Sequence, residues 1–151
     1  MKKYLLIIVL IIPFILCGCT DKNEKIYLSD KYYRDGVYLD VHSSDIDNLK
    51  NDNYLLFIYN PYCNFKIPCD KVFEETMDKY KIDILSMAIE EYKKTELFNT
   101  VRYAPSILVI KKGKIIAYLD ANNDDHLDLY QDSNKFEEWL SKYVYLEKKS
   151  N

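Results

Sequence analysis

Apolar residues fall along this chain in runs and stripes of two different periods, and the periods predict the elements. Tyr4 to Leu16 is a continuous apolar run of 13 residues behind Met1-Lys2-Lys3. That is shorter than the roughly 20 residues a helix needs to cross a hydrocarbon core. Tyr54-Leu55-Leu56-Phe57-Ile58-Tyr59 is a second run, bounded by polar residues and broken by Asn60-Pro61-Tyr62. It suits a strand buried on both faces in the middle of a sheet. Val72, Phe73, Thr76, Met77 and Tyr80 recur along one helical face, and Pro68 suits the first turn of that helix. Ile82 to Ile89 reads as another strand, with Asp83 and Ser86 as its polar members. Tyr92 to Arg102 reads as a helix with Leu97, Phe98 and Val101 on its apolar side. Ser106 to Ile110 is a β-branched strand, Lys111-Lys112-Gly113-Lys114 a hairpin turn, and Ile115 to Leu119 the antiparallel return. Asn122 to Asp128 is a polar loop, followed by an edge strand at Leu129-Tyr130. Phe136, Trp139, Leu140 and Tyr143 line a last helix capped by Asp132 or Ser133, with Trp139 as its core anchor. Upstream, Tyr27 to Val41 holds one or two short strands turning at Asp35-Gly36. Ser43 or Ser44 opens a short helix through Leu49, ended at Asn51-Asp52-Asn53. The order strand, helix, strand, helix, strand, hairpin strand, helix predicts an α/β domain with helices on both faces of a mixed sheet.

The first apolar run is not part of that domain. A basic start, a short apolar stretch and then Leu16-Cys17-Gly18-Cys19 read as an export signal. The sequence resembles a bacterial lipoprotein signal, which implies cleavage before Cys19 and a diacylglyceryl group, with palmitate as acyl chain, on its sulfur. Cys17 is the poorer lipid acceptor, because bulky Leu16 directly precedes it. The expected organisation is a signal peptide at 1–18, a polar tether at 19–26 and one domain at 27–151. The expected location is the extracytoplasmic face of the cell membrane, held by the lipid.

Composition narrows the function. The mature chain of about 130 residues is one domain by length, and 48% hydrophobic residues suffice for a core. Removing Lys2 and Lys3 from the 21 basic residues leaves 19 against 24 acidic ones, a net charge of −5. With no basic patch, nucleic-acid binding has no electrostatic footprint. Of four cysteines, Cys17 leaves with the signal and Cys19 is a thioether, so Cys63 and Cys69 remain. In an exported chain such an isolated pair is a disulfide candidate. No metal or cofactor is expected. His42 and His126 have no partner at ligand spacing. Asp120, Asn122, Asp124 and Asp128 follow a calcium loop in part, but Asp125 replaces its turn glycine and Gln131 its bidentate glutamate. The bland reading, a solvated loop, is preferred.

A family resemblance enters at two motifs. Ile67-Pro68-Cys69-Asp70-Lys71 is similar to the second half of the thioredoxin active-site turn. Tyr103-Ala104-Pro105-Ser106, followed by Ile107 to Ile110 and Lys112-Gly113-Lys114, is similar to that family's cis-proline loop and β-hairpin. The resemblance covers roughly residues 54 to 145. It implies a thioredoxin-like fold, a catalytic Cys63/Cys69 pair, and a cis Ala104-Pro105 peptide that holds substrate backbone. The chain also resembles thioredoxin-like lipoproteins of Gram-positive bacteria, including bacteriocin transport accessory proteins. It departs from the family pattern in having five residues between the cysteines where active members usually have two. Phe57 stands where the family's buried acid belongs, and Tyr62 replaces the usual Trp.

The spacing has consequences. Disulfide-bonded residues lie about 4.4–6.8 Å apart at Cα. Six steps of continuous helix span about 9 Å. The segment between Cys63 and Cys69 therefore turns back as a loop if the two are bonded. Ring closure stabilises by roughly 2 kcal/mol in the chain-entropy model, enough for a purely structural staple. A helix N-terminus at Cys69 favours thiolate, the requirement of a redox pair. Two functions stand open. One is a membrane-tethered thiol-disulfide oxidoreductase acting on exported protein or peptide clients. The other is a non-catalytic binding module with an inert disulfide, an accessory at the envelope in peptide export. Oligomeric state is not encoded in any feature of the sequence.

Overall fold

The computed structural model describes residues 25–60 and 68–150. The signal peptide, Cys19, most of the tether and Cys63 lie outside the described residues, and with Cys63 lies the expected disulfide. Five strands form one sheet: β1 (Tyr38–Asp40), β2 (Asn53–Tyr59), β3 (Ile84–Ala88), β4 (Ser106–Lys111) and β5 (Lys114–Asp120), in the order β1-β3-β2-β4-β5. β3 pairs in parallel with both β1 and β2, while β4 pairs antiparallel with β2 and β5. The mixed sheet of the sequence expectation is thus present. β2 lies at its centre, and Tyr54 to Ile58 are all buried there. A run without polar alternation is what a strand covered on both faces requires.

Pleating divides the run between two layers. Phe57 points to the layer made by α1 (Cys69–Tyr80) and α3 (Ser133–Leu140), where Phe57 meets Phe73 edge-on at 5.4 Å and Phe73 meets Phe136 at 4.4 Å. Lys79 of α1 and Glu137 of α3 close the outer side of that layer with a 2.9 Å ion pair. Leu56 and Ile58 face the other way, toward α2 (Ile89–Tyr92). The 3-10 turn Ser43–Leu49 is tied to α2, since Ser43 Oγ donates to Glu91 at 2.7 Å. The buried stripe of α1 is Val72, Phe73, Thr76 and Met77, as its spacing predicts. Helices lie on both faces, and the expected α/β architecture is the observed one.

Several element assignments need correction. Pro68 precedes α1 as its N-cap residue, at φ −57° and ψ 124°, and Cys69 is the first helical residue. The helix expected over Tyr92 to Arg102 is instead α2, ending at Tyr92, followed by a 3-10 turn at Glu96–Asn99. Thr95 Oγ1 donates to the Tyr92 carbonyl at 2.9 Å, and this local bond competes with helix continuation. Leu129-Tyr130 is not an edge strand. A 3-10 turn, Asp124–Tyr130, replaces both the polar loop and that strand, started by Asn123 accepting from the Asp125 amide. Asp132, not Ser133, caps α3, accepting from the amides of Asn134 and Lys135. Ile26, assigned to the tether, is buried and bridges to Val144, so the fold already holds the chain there.

Two tight turns set the ends of the sheet. Lys112 and Gly113 both have positive φ, 48° and 76°, as a two-residue hairpin of matching twist demands. At the start of β1, Gly36 has φ 73°, and a Cβ there would sit 2.6 Å from the Met77 carbonyl oxygen. Only glycine fits that approach. The buried carboxylate of Asp83 accepts the amides of Asp35, Gly36 and Val37 at 3.2, 2.9 and 3.1 Å, which fixes the turn against the sheet.

Candidate functional site

Parallel β1, β3 and β2 bring their carboxyl ends to one edge of the domain, where α1 begins and the strand β4 starts. Helix α1 starts there because Pro68 carries no amide hydrogen to lose and its φ of −57° suits helix entry. Its first residue, Cys69, is 5% exposed and packs into the core. The partial positive charge of the helix end favours thiolate at that sulfur, whereas burial opposes it.

The loop before β4 approaches from the other side. The Ala104-Pro105 peptide is cis, in agreement with the resemblance. Three hydrogen bonds hold the loop. Ser106 Oγ donates to the Tyr103 carbonyl at 2.7 Å, and the Ala121 amide donates to the Pro105 carbonyl at 3.3 Å. Buried Tyr130 donates its hydroxyl to the same Pro105 carbonyl at 3.1 Å. The apolar pair Leu129-Tyr130 thus serves as a turn whose tyrosine reaches inward to brace the loop.

Between Cys69 and Pro105 lies a pocket of about 380 Å³. Tyr38, Phe57 and Tyr59 supply aromatic walls, while Asp40, Asp70 and Ser86 supply polar groups. Tyr38 donates its hydroxyl to the Asp70 carbonyl at 3.0 Å, tying β1 to the first turn of α1. Burial, reinforced by the nearby Asp70, pushes the Tyr38 phenol far above its ordinary range, and burial does the same at Tyr130. Both phenols therefore stay protonated donors through the physiological range. Ser86, buried on β3, donates its hydroxyl to the Asp40 carboxylate on β1. The register explains this pair, because Asp40 and Ser86 are cross-strand partners on one face.

Of the expected site residues, Cys69 and Pro105 meet at this pocket, with Ala104 as the other half of the cis peptide. Cys63 and the lipid acceptor Cys19 lie outside the described residues. Cys69 is the one cysteine among the described residues, and no disulfide is present among them. Phe57 lines the pocket at 5% exposure, so the side chain six residues before Cys63 presents an apolar ring there and no proton-accepting group. Tyr38, Asp40, Ser86 and Tyr130 escaped the sequence reading. The one available signal was alternation, which puts Tyr38 and Asp40 on the same side of a short strand. Among the described residues no group of His, Cys, Asp or Glu is arranged to hold a metal, and no helix is long and apolar enough to cross a membrane.

No family model matches the chain, and no curated protein matches it. Solved structures similar to it include three thioredoxins. Thioredoxin f from spinach chloroplast is 16% identical, with 74% of this chain and 99% of that one covered, at a TM-score of 0.48. Thioredoxin from Trypanosoma brucei brucei is 13% identical, with 76% and 98% covered, at 0.47. Oxidised thioredoxin from Plasmodium falciparum is 18% identical, with 62% and 93% covered, at 0.43. The fold is thioredoxin-like. Its features are the strand order, the parallel and antiparallel pairings, and the cis-proline loop facing the start of α1.

Proposed function

We propose that this protein is a thiol-disulfide oxidoreductase, tethered to the outer face of the cell membrane through lipid on Cys19, acting on exported clients through Cys63 and Cys69. One observation carries the reading. Cys69 is the first residue of α1, almost covered, and lines a pocket whose opposite wall is Pro105. A covered sulfur at a helix start is suited to resolve a mixed disulfide rather than to meet the client first. In the reducing direction the Cys63 thiolate attacks a client disulfide. A bond forms between Cys63 and one client sulfur, and the other client sulfur leaves as thiolate. The Cys69 thiolate then attacks Cys63 and expels the second client thiolate. The client gains two electrons and two protons, and the Cys63–Cys69 pair is left oxidised; the reverse sequence oxidises a client dithiol. Pro105 and Ala104 border the client segment during both steps.

The test is capture of mixed disulfides. Cys69→Ser is expected to accumulate disulfide-linked clients, and Cys63→Ser to accumulate few. Failure of both variants to capture any client, with both merely less stable, would remove the oxidoreductase reading. The second reading is a non-catalytic member of the same fold, with a structural disulfide and a binding or accessory role in peptide export. Phe57 is the observation in its favour, because no proton-accepting group stands at that point of the pocket floor.

A further inference from the structure

The pocket beside Cys69 carries a chemistry of its own. Tyr38 and Phe57 lie with centroids 5.7 Å apart and planes inclined by 39°, and Phe57 and Tyr59 lie 6.3 Å apart at the same inclination. The rings form a bent row along the cavity rather than a closed stack. Among the described lining residues the charged side chains are Asp40 and Asp70, both carboxylates, and no Lys or Arg joins them. Neither aspartate is in an ion pair among the described residues. The buried Ser86 hydroxyl steadies the Asp40 carboxylate and leaves its other lone pairs open. Aromatic faces carry negative potential and attract a cation within about 6 Å of the centroid. Carboxylates at the same cavity act in the same sense, as does the acidic excess of the whole chain. The volume suits one long side chain and the backbone around it.

From these features we infer that the pocket takes a cationic side chain, lysine or arginine, of a client segment. The clients of the cysteine pair are then segments with a basic residue near the reacting cysteine. This deepens the oxidoreductase reading and rests on it only for naming the occupant a redox client. The pocket's preference for positive charge can be measured without any thiol chemistry.

The probes are capped pentapeptides, Gly-Ser-Xaa-Ser-Gly, with lysine, norleucine or glutamate in the middle. They carry no cysteine. The protein is the mature, oxidised chain, and binding is followed by NMR chemical-shift titration. The lysine peptide is expected to bind about tenfold more tightly than its uncharged isostere, a difference of ~1.4 kcal/mol. The glutamate peptide is expected to bind more weakly still, and the shifts are expected to fall on Tyr38, Asp40 and Tyr59. Asp40→Asn keeps the hydrogen bond to Ser86 and removes the charge, and Tyr59→Leu removes one ring. Each is expected to cut the lysine preference severalfold while far-UV circular dichroism stays unchanged. Equal binding of the three peptides, no binding of any, or a lysine preference that survives both substitutions would overturn the inference. The two readings fail separately. Lysine preference without client capture by Cys69→Ser removes the redox chemistry alone, whereas capture without lysine preference removes the cation pocket alone.

Discussion

The sheet carries a carboxylate at each end, and the two are treated in opposite ways. At the amino end of β3, Asp83 is 2% exposed and accepts three backbone amides from the turn that launches β1. At the carboxyl end of β1, Asp40 accepts one serine hydroxyl and opens onto the pocket of Cys69. The residue type is the same, and the number of satisfied lone pairs differs. A carboxylate whose acceptor sites are filled by its own backbone is scaffold, because moving it strands buried donors. A carboxylate with one protein partner, facing a cavity, has capacity left for a ligand. The same contrast holds around them. At the first end Gly36 packs against the Met77 carbonyl with no room to spare. At the second, a covered cysteine, a proline loop and three aromatic rings border about 380 Å³ of space.

The largest effect that would break this contrast is at Asp83. Asp83→Ala leaves three turn amides without their acceptor and is expected to cost about 3 kcal/mol or more in urea unfolding. Asp40→Asn is expected to stay within about 0.5 kcal/mol of the parent, as an exposed change that keeps its hydrogen bond. Equal losses at the two sites would erase the distinction. Next comes Gly36→Ala, expected to cost about 2 kcal/mol through positive φ and the clash with the Met77 carbonyl. Tyr130→Phe sharpens the account of the pocket. Loss of the hydroxyl bond to the Pro105 carbonyl is expected to cost about 1 kcal/mol, and the loop amides should exchange hydrogen faster.

The smallest effect is a pH dependence on the face away from the pocket. Lys94, with help from Ser43, holds the Glu91 carboxyl down at about 2, against 4.5 ordinarily. A lowered folded-state value stabilises the fold above the ordinary value, and that contribution fades as pH falls from about 4.5 toward 2. Glu91→Gln is therefore expected to flatten the acid limb of the stability curve over that window. An unchanged limb would show that the contacts of half-buried Ser43 and Glu91 with exposed Lys94 do not persist in solution.

Much of the architecture was legible because apolar runs and stripes have distinct periods. The buried run at Tyr54 to Ile58 and the stripe from Val72 to Met77 point to a central strand and a packed helix. Cys69 and Pro105 were legible through motif, and the pocket joins them. Failures came where local bonding overrode pattern. Nothing in the apolar spacing of Leu97, Phe98 and Val101 announces that Thr95 turns back on Tyr92 and stops the helix. Leu129-Tyr130 is too short for a period to be read, so the turn that sends Tyr130 inward looked like an edge strand. Asp40 and Ser86 are ordinary polar residues until the register of two strands distant in sequence makes them partners. Asp83 looked like a polar residue of a strand, and only the fold reveals the turn it anchors.

If the Cys69 end of the sheet is working machinery and the Asp83 end is scaffold, the reduction potential of the Cys63–Cys69 pair decides between a redox-active pair and an inert staple. The measurement is a redox titration of the mature protein in thiol buffers, read by mass shift after alkylation. One two-electron transition on both sulfurs is expected, with its midpoint well above about −300 mV. A midpoint below that value, or two cysteines that never oxidise to each other, would contradict a redox-active pair.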